Sequence, residues 1–124
     1  MKNGEFSTAG RLLIADIWLD KMWPWREIEG AIDAALRFSR MNTVKKIVHH
    51  FKPQGETGLW LLAESHLAVH TYPESKYLSI DLYTCGTEGD PMAVASHLES
   101  IMEPQQIKIS TTTRGVLSIE PLKR

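Results

Sequence analysis

Two neighbouring stretches of this chain alternate so strictly that they fix which way a sheet built from them must face. In the strand expected over His66–Thr71, Leu67 and Val69 fall on one side, and His66, Ala68 and His70 on the other. In the strand expected over Tyr77–Thr84, Leu78, Ile80 and Leu82 share one side. Tyr77, Ser79, Asp81, Tyr83 and, if the strand runs one residue further, Cys85 share the other. The aliphatic sides need an apolar layer to pack on. The opposite side then carries His66, His70, Asp81, Tyr83 and Cys85 together on a surface without helices. Such a gathering of polar, aromatic and ionisable groups suggests a site, with a second subunit as its roof.

The rest of the chain supplies the missing layer. Gly10 to Asp20 is almost wholly apolar and reads as a buried strand. Trp23-Pro24-Trp25 opens a helix, with Pro24 in its first turn, and Ile28, Ala31, Ile32, Ala35 and Leu36 recur at helical spacing. Strands are expected at Thr43–Phe51 and Thr57–Ala63, joined by the turn signal Lys52-Pro53-Gln54-Gly55. Asp90-Pro91 reads as an N-cap followed by proline at the first helical position. Val94, Leu98, Ile101 and Met102 form that helix's inner face, and Pro104 ends it. A last strand pair is expected at Ile107–Thr112 and Val116–Ile119, turning at Arg114-Gly115. The order β-α-β-β-β-β-α-β-β predicts an α+β fold, a two-layer α/β sandwich whose mostly antiparallel sheet has helices on one face. At 124 residues and 43% hydrophobic, residues 1–124 are expected to form a single domain with a real core.

Several function classes lose support on composition. Fourteen basic and fifteen acidic residues give a formal charge of −1, so no electrostatic ground exists for expecting nucleic acid or an anionic membrane. No apolar run approaches the roughly 20 residues of a membrane helix, and Met1–Gly10 lacks the apolar centre of a secretory signal. Cys85 is the single cysteine, a count that fits a reducing cytoplasm. His49-His50 resembles a metal pair, but adjacent strand residues point to opposite faces, so no metal site is expected. The four tryptophans read as core or interface residues.

The segment from Leu61 to Glu74 carries the chemistry. An apolar strand runs into Glu64-Ser65-His66, and a second strand delivers His70 and a turn at Pro73. A serine between two strands, with a histidine five residues on, is set up to act on its own backbone. Its hydroxyl can attack the preceding carbonyl and convert the amide into an ester. Elimination and hydrolysis then leave two chains, the second beginning with a pyruvoyl group.

These residues resemble the short bacterial and archaeal S-adenosylmethionine decarboxylase proenzymes, a pyruvoyl-dependent family of polyamine synthesis. The motifs are Phe51-x-Pro53-x-Gly55-x-Thr57-Gly58, Glu64-Ser65-His66, His70-Thr71-x-Pro73-Glu74, Asp81-x-x-Thr84-Cys85-Gly86 and Asp90-Pro91. The resemblance implies self-cleavage between Glu64 and Ser65 into a β chain, residues 1–64, and an α chain, residues 65–124. Ser65 would become the pyruvoyl group, the covalent cofactor, and His70 would help remove its α-proton during processing. Thr57 would position the processing intermediate. Cys85 would reprotonate the substrate carbon after CO2 leaves.

By the same resemblance Phe51 and Tyr72 lie near the adenine, and Glu74 binds the ribose hydroxyls of S-adenosylmethionine. The implied product, decarboxylated S-adenosylmethionine, is the aminopropyl donor for spermidine. The substrate amine would form a Schiff base with the pyruvoyl carbonyl, which acts as electron sink, and a thiol is a usable acid at neutral pH. The family's shorter members are cytoplasmic homodimers with residues of both subunits at each site. Tyr72 stands where many members carry tryptophan. Relatives with this fold decarboxylate arginine or ornithine, so those substrates stay open, as does a non-processing regulatory homologue.

Overall fold

The computed structural model describes residues 9–63, 65–85 and 89–116. Along the chain run β1 (Gly10–Trp18), α1 (Trp25–Phe38), β2 (Thr43–His50), β3 (Glu56–Leu62), β4 (Ser65–Tyr72), a 3-10 turn (Pro73–Ser75), β5 (Tyr77–Cys85), α2 (Pro91–Met102) and β6 (Gln106–Arg114). The strands form one sheet in the order β2-β3-β4-β5-β1-β6, and every pairing is antiparallel. Both helices supply residues to a core packed on one side of that sheet, as the alternation requires.

The helices end where their sequences dictate. Pro24 is the N-cap of α1, one position outside the first turn expected for it. Glu27 in the first turn and Arg37 in the last complement the helix dipole. In α2 the Asp90 carboxylate accepts a 3.0 Å hydrogen bond from the Met92 N–H, and Pro91 fills the first helical position. Glu103 closes that helix in a left-handed conformation (φ 46°) just before Pro104.

Core and open faces follow the period of two. Leu13, Ala15 and Ile17 of β1 pack with Leu67 and Val69 of β4 and with Leu78, Ile80 and Leu82 of β5 against Ile28, Ile32, Leu36, Val94 and Leu98. β1 differs from its expected burial on both sides. Ile14 keeps 42% of its surface because its side of the sheet carries no helix. β5 does extend to Cys85, and β6 runs on through Arg114 rather than ending at Thr112. Val116 lies outside any strand, and the remainder of the strand expected over 116–119 falls outside the described residues. Among the described residues no helix is long and apolar enough to cross a membrane.

β2 and β3 are tied to α1 by a polar bridge. The fully buried Trp60 donates its indole N–H to Asp33 at 2.8 Å. Lys46 donates to Glu29 at 2.8 Å and to Asp33 at 2.9 Å. Burial pulls the Lys46 ammonium down, but the hydrogen bonds to Glu29 and Asp33 outweigh it and leave the group above the ordinary lysine value.

Gly58 lies where two indoles meet. A Cβ there would stand 2.8 Å from Trp60 and 2.9 Å from Trp25. Gly58→Ala is therefore expected to destabilise the fold by about 1–3 kcal/mol, the usual cost of overpacking. A denaturant midpoint unchanged from wild type would show that the indoles move aside freely.

Candidate active site

The helix-free face is an ordered grid. Across the sheet, one row reads Lys45, Leu61, His66, Tyr83, Leu12, Thr112; the next reads Ile47, Leu59, Ala68, Asp81, Ile14, Ser110; the third reads His49, Thr57, His70, Ser79, Asp16, Lys108. Tyr72, Tyr77, Trp18 and Gln106 form a row at one end, and Cys85, Gly10 and Arg114 at the other.

Two clusters of expected site residues occupy opposite ends of β4. At the Tyr72 end a cleft of about 370 Å³ is lined by Phe51, Thr57, His70, Tyr72 and Glu74 together with Gln54, Gly55, Glu56 and Thr71. Of the expected site residues, the five other than Glu64, Ser65 and Cys85 thus meet in one place. Thr57 Oγ1 and His70 Nδ1 share a 2.8 Å hydrogen bond, which fixes the imidazole and leaves Nε2 clear. Phe51 and Tyr72 expose 50% and 40% of their surface, so both offer ring faces to a ligand. His49 packs its ring edgewise on Phe51 at 4.6 Å. Gln54 donates to the Glu74 carboxylate at 3.2 Å.

Local structure explains this gathering. The Phe51 N–H bonds the Gly55 carbonyl at 2.8 Å and closes the β2–β3 turn. Gly55 holds φ +100°, and a Cβ there would lie 3.3 Å from the Thr71 carbonyl oxygen. The Thr71 hydroxyl donates to the Glu56 carboxylate at 2.7 Å and accepts from its backbone N–H at 2.8 Å, which pins the turn to β4.

Ser65 begins β4 at the other end. It is buried, shares its parity with Leu67, and so faces the helices. Its partners in register are Leu62 and Thr84. A pocket of about 40 Å³, lined by Arg40, Met41, Asn42, Leu62, Ala63 and Gly89, adjoins it, and the Asn42 carbonyl accepts the Ala63 N–H at 3.2 Å. Cys85, half-buried with a free thiol, stands one residue past the partner of Ser65. It points to the helix-free side near the stacked pair His66–Tyr83 (5.7 Å). Glu64 lies outside the described residues.

The structure does not bring His70 to Ser65 within one chain. Five residues of extended strand separate them by about 16 Å, and the odd spacing puts them on opposite faces. The sequence reading, which paired them by proximity along the chain, missed this. It also missed the row beside the cleft, where Tyr77 stacks on Tyr72 (5.3 Å) and on Trp18 (5.2 Å). No group of three or more His, Cys, Asp or Glu side chains is placed to hold a metal among the described residues.

The Tyr77 hydroxyl donates to Asp16 at 2.5 Å. That hydrogen bond, then burial and the charge of Asp16, push its phenol from 10.0 up to about 12. Folding therefore favours the protonated phenol. Its contribution to stability is complete below about pH 10 and is lost as pH climbs from there to about 12. One of the three tyrosines is expected to ionise last in an ultraviolet titration, and Tyr77→Phe is expected to remove that late step. A late step surviving in the variant would assign it to another ring.

Comparison with known proteins narrows what this geometry serves. A family model described as S-adenosylmethionine decarboxylase matches residues 14–115. The chain is 36% identical over 118 residues to "S-adenosylmethionine decarboxylase proenzyme 2" of Bacillus cereus, covering 90% of this chain and 94% of that protein. It is 29% identical over 117 residues to the S-adenosylmethionine decarboxylase proenzyme of a Sulfurihydrogenibium species, covering 92% and 88%. Among solved structures, the adenosylmethionine decarboxylase of Aquifex aeolicus superposes with a TM-score of 0.76 at 27% identity, over 94% of this chain and 99% of that one.

Proposed function

The chain belongs to the S-adenosylmethionine decarboxylase family, and we propose that it cleaves itself between Glu64 and Ser65 and decarboxylates S-adenosylmethionine as a face-to-face homodimer. The observation that carries the dimer is the split site. The binding cleft and Ser65 lie at opposite ends of one strand, while the face between them exposes Ile14, Ile47, Leu59 and Leu61. Two such faces laid together antiparallel cover that apolar surface. They also bring the His70 cleft of each protomer over the strand end of the other where Cys85 opens to that face and where Ser65 begins β4 with its side chain turned to the helices.

In processing, Ser65 Oγ attacks the carbonyl carbon of residue 64. The C–N bond breaks as the new C–O ester bond forms, and the nitrogen takes up the hydroxyl proton. Across the dimer, His70 Nε2 of one protomer, oriented by the Thr57 hydroxyl on Nδ1, then takes the Ser65 α-proton of the other, and the carboxylate of residue 64 departs. Water finishes the conversion with loss of ammonia. The start of β4 suits the group: its backbone is paired on both sides, and the residue sits at a turn beside a small pocket.

A pyruvoyl carbonyl at residue 65 supplies the electron sink for loss of CO2 from an amino acid held through its amine. Phe51 and Tyr72 stack on the adenine, and the Glu74 carboxylate, steadied by Gln54, accepts from the ribose hydroxyls. Aromatic faces also suit a sulfonium cation, which needs no basic phosphate cradle. The Cys85 thiol returns a proton to the substrate carbon. The product is an aminopropyl donor of the kind spermidine synthesis consumes.

Intact-mass measurement under denaturing conditions is expected to give two fragments, 1–64 and 65–124, for wild type and one chain for Ser65→Ala. A single wild-type chain would favour a non-processing protein. Cys85→Ala is expected to cleave normally and lose about a hundredfold or more in kcat, and undiminished turnover would remove the thiol from the mechanism. Release of CO2 from arginine or ornithine but not from S-adenosylmethionine would overturn the substrate.

The arrangement in trans has its own test. Co-expressed with Ser65→Ala, the His70→Ala chain regains an intact His70 opposite its own Ser65. Its cleavage is expected to recover in mixed dimers, and failure to recover would show that each chain processes itself.

A further inference from the structure

The ring of Tyr72 is the visible end of a longer stack. Behind it stands Tyr77, with centroids 5.3 Å apart and planes 26° from parallel. Behind Tyr77 stands Trp18, at 5.2 Å and 29°. Lys108 holds its ammonium 5.8 Å from the centre of the Trp18 ring. Register makes the stack possible: Tyr72 lies directly opposite Tyr77, and Tyr77 directly opposite Trp18, so three strands raise their rings side by side from one row. The middle ring is pinned through its hydroxyl to Asp16. Neither Tyr77 nor Trp18 lines the cleft that Tyr72 enters.

We infer that Tyr77, anchored by Asp16 and backed by Trp18, is a positioning residue that sets the ring plane of Tyr72 for stacking on the substrate's nucleobase, and thereby determines the preference for a nucleoside-bearing substrate. The inference rests on the reading of the cleft as the S-adenosylmethionine site. An exposed tyrosine turns about two side-chain torsions, and a ligand that stacks on it must arrest both. A ring already held against a second, anchored ring has lost that freedom before the ligand arrives, so binding costs less. Stacking also depends on ring geometry, and offset, near-parallel planes are among the favoured arrangements. Tyr77 does not line the cleft and reaches it only through the ring of Tyr72, so it acts on binding and not on proton transfer to the product.

The test separates binding from chemistry in the self-cleaved enzyme. Tyr77→Leu removes the stack. Tyr77→Phe keeps the ring and removes only its anchor. Both variants are expected to cleave completely and to keep kcat within about twofold of wild type. The KM for S-adenosylmethionine is expected to rise about tenfold in Tyr77→Leu and about threefold in Tyr77→Phe. The inhibition constant of 5′-methylthioadenosine, which carries the nucleoside without the amino acid, should rise in step. Inhibition by S-methylmethionine, which carries the sulfonium amino acid without the nucleoside, should not change.

A fall in kcat at constant KM, or equal weakening of both inhibitors, would overturn the inference. If Tyr77→Leu fails to fold, Tyr77→Phe decides alone, and an unchanged KM there counts against the anchor. A wild-type enzyme that cleaves itself but ignores S-adenosylmethionine would sink the substrate reading and this inference with it. A wild type that uses S-adenosylmethionine while Tyr77→Leu keeps its KM would sink this inference alone.

Discussion

The pairing of β4 between β3 and β5 governs everything else in this molecule. Side chains alternate along a strand, so a slip of one residue would carry Leu67 and Val69 out of the core and push His66 and His70 into it. That exchange would bury ionisable groups without partners and expose aliphatic ones, a cost no local adjustment could offset. The register is held from both ends, by the Thr71–Glu56 hydrogen bonds at one and by the Ala63–Asn42 hydrogen bond at the other. The same register sets Thr57 beside His70 and Tyr72 beside Tyr77. The cleft beside Tyr72 is therefore a by-product of correct core packing.

One helical layer serves six strands, and the outcome is lopsided. Beneath the helices the sheet is sealed by aliphatic side chains and by Trp60, whose single polar atom is met by Asp33. On the other side a belt of Ile14, Ile47, Leu59 and Leu61 separates the cleft from the Ser65 end. A chain of this size has apolar surface left over, and the proposed dimer gives that surface a use. The two halves of the proposed site lie too far apart for one protomer to join, so the apolar belt and the divided chemistry point to the same assembly.

Much of this was legible in the residues. The alternation after Ser65 and after Tyr77 predicted both faces, down to Cys85 at the strand's last position. The Asp90-Pro91 start of α2 was equally plain, because capping is local chemistry. What escaped was the parity of Ser65 itself and the register between strands. Ser65 shares its face with Leu67, and His70 lies an odd number of residues further on, so their separation was written in the spacing but hidden by their closeness in the chain. The Tyr72–Tyr77–Trp18 stack joins three strands whose alignment depends on the turn at Pro73–Ser75, and no one segment encodes it. β1 read as buried on both sides because its composition is apolar throughout. Only the placement of both helices on one side reveals that Ile14 stays open.

The order of the strands has a bearing on what a break at residue 65 would do. Strands β1, β2 and β3 precede that position and β4, β5 and β6 follow it, yet β1 lies between β5 and β6. The severed pieces would be interlaced like the fingers of two hands, joined along the β3–β4, β5–β1 and β1–β6 seams as well as by the contact between α1 and α2. To come apart they would have to unzip most of the sheet. The backbone could thus be cut at its centre while the body it belongs to stays whole, and the freed end would remain clamped where it formed.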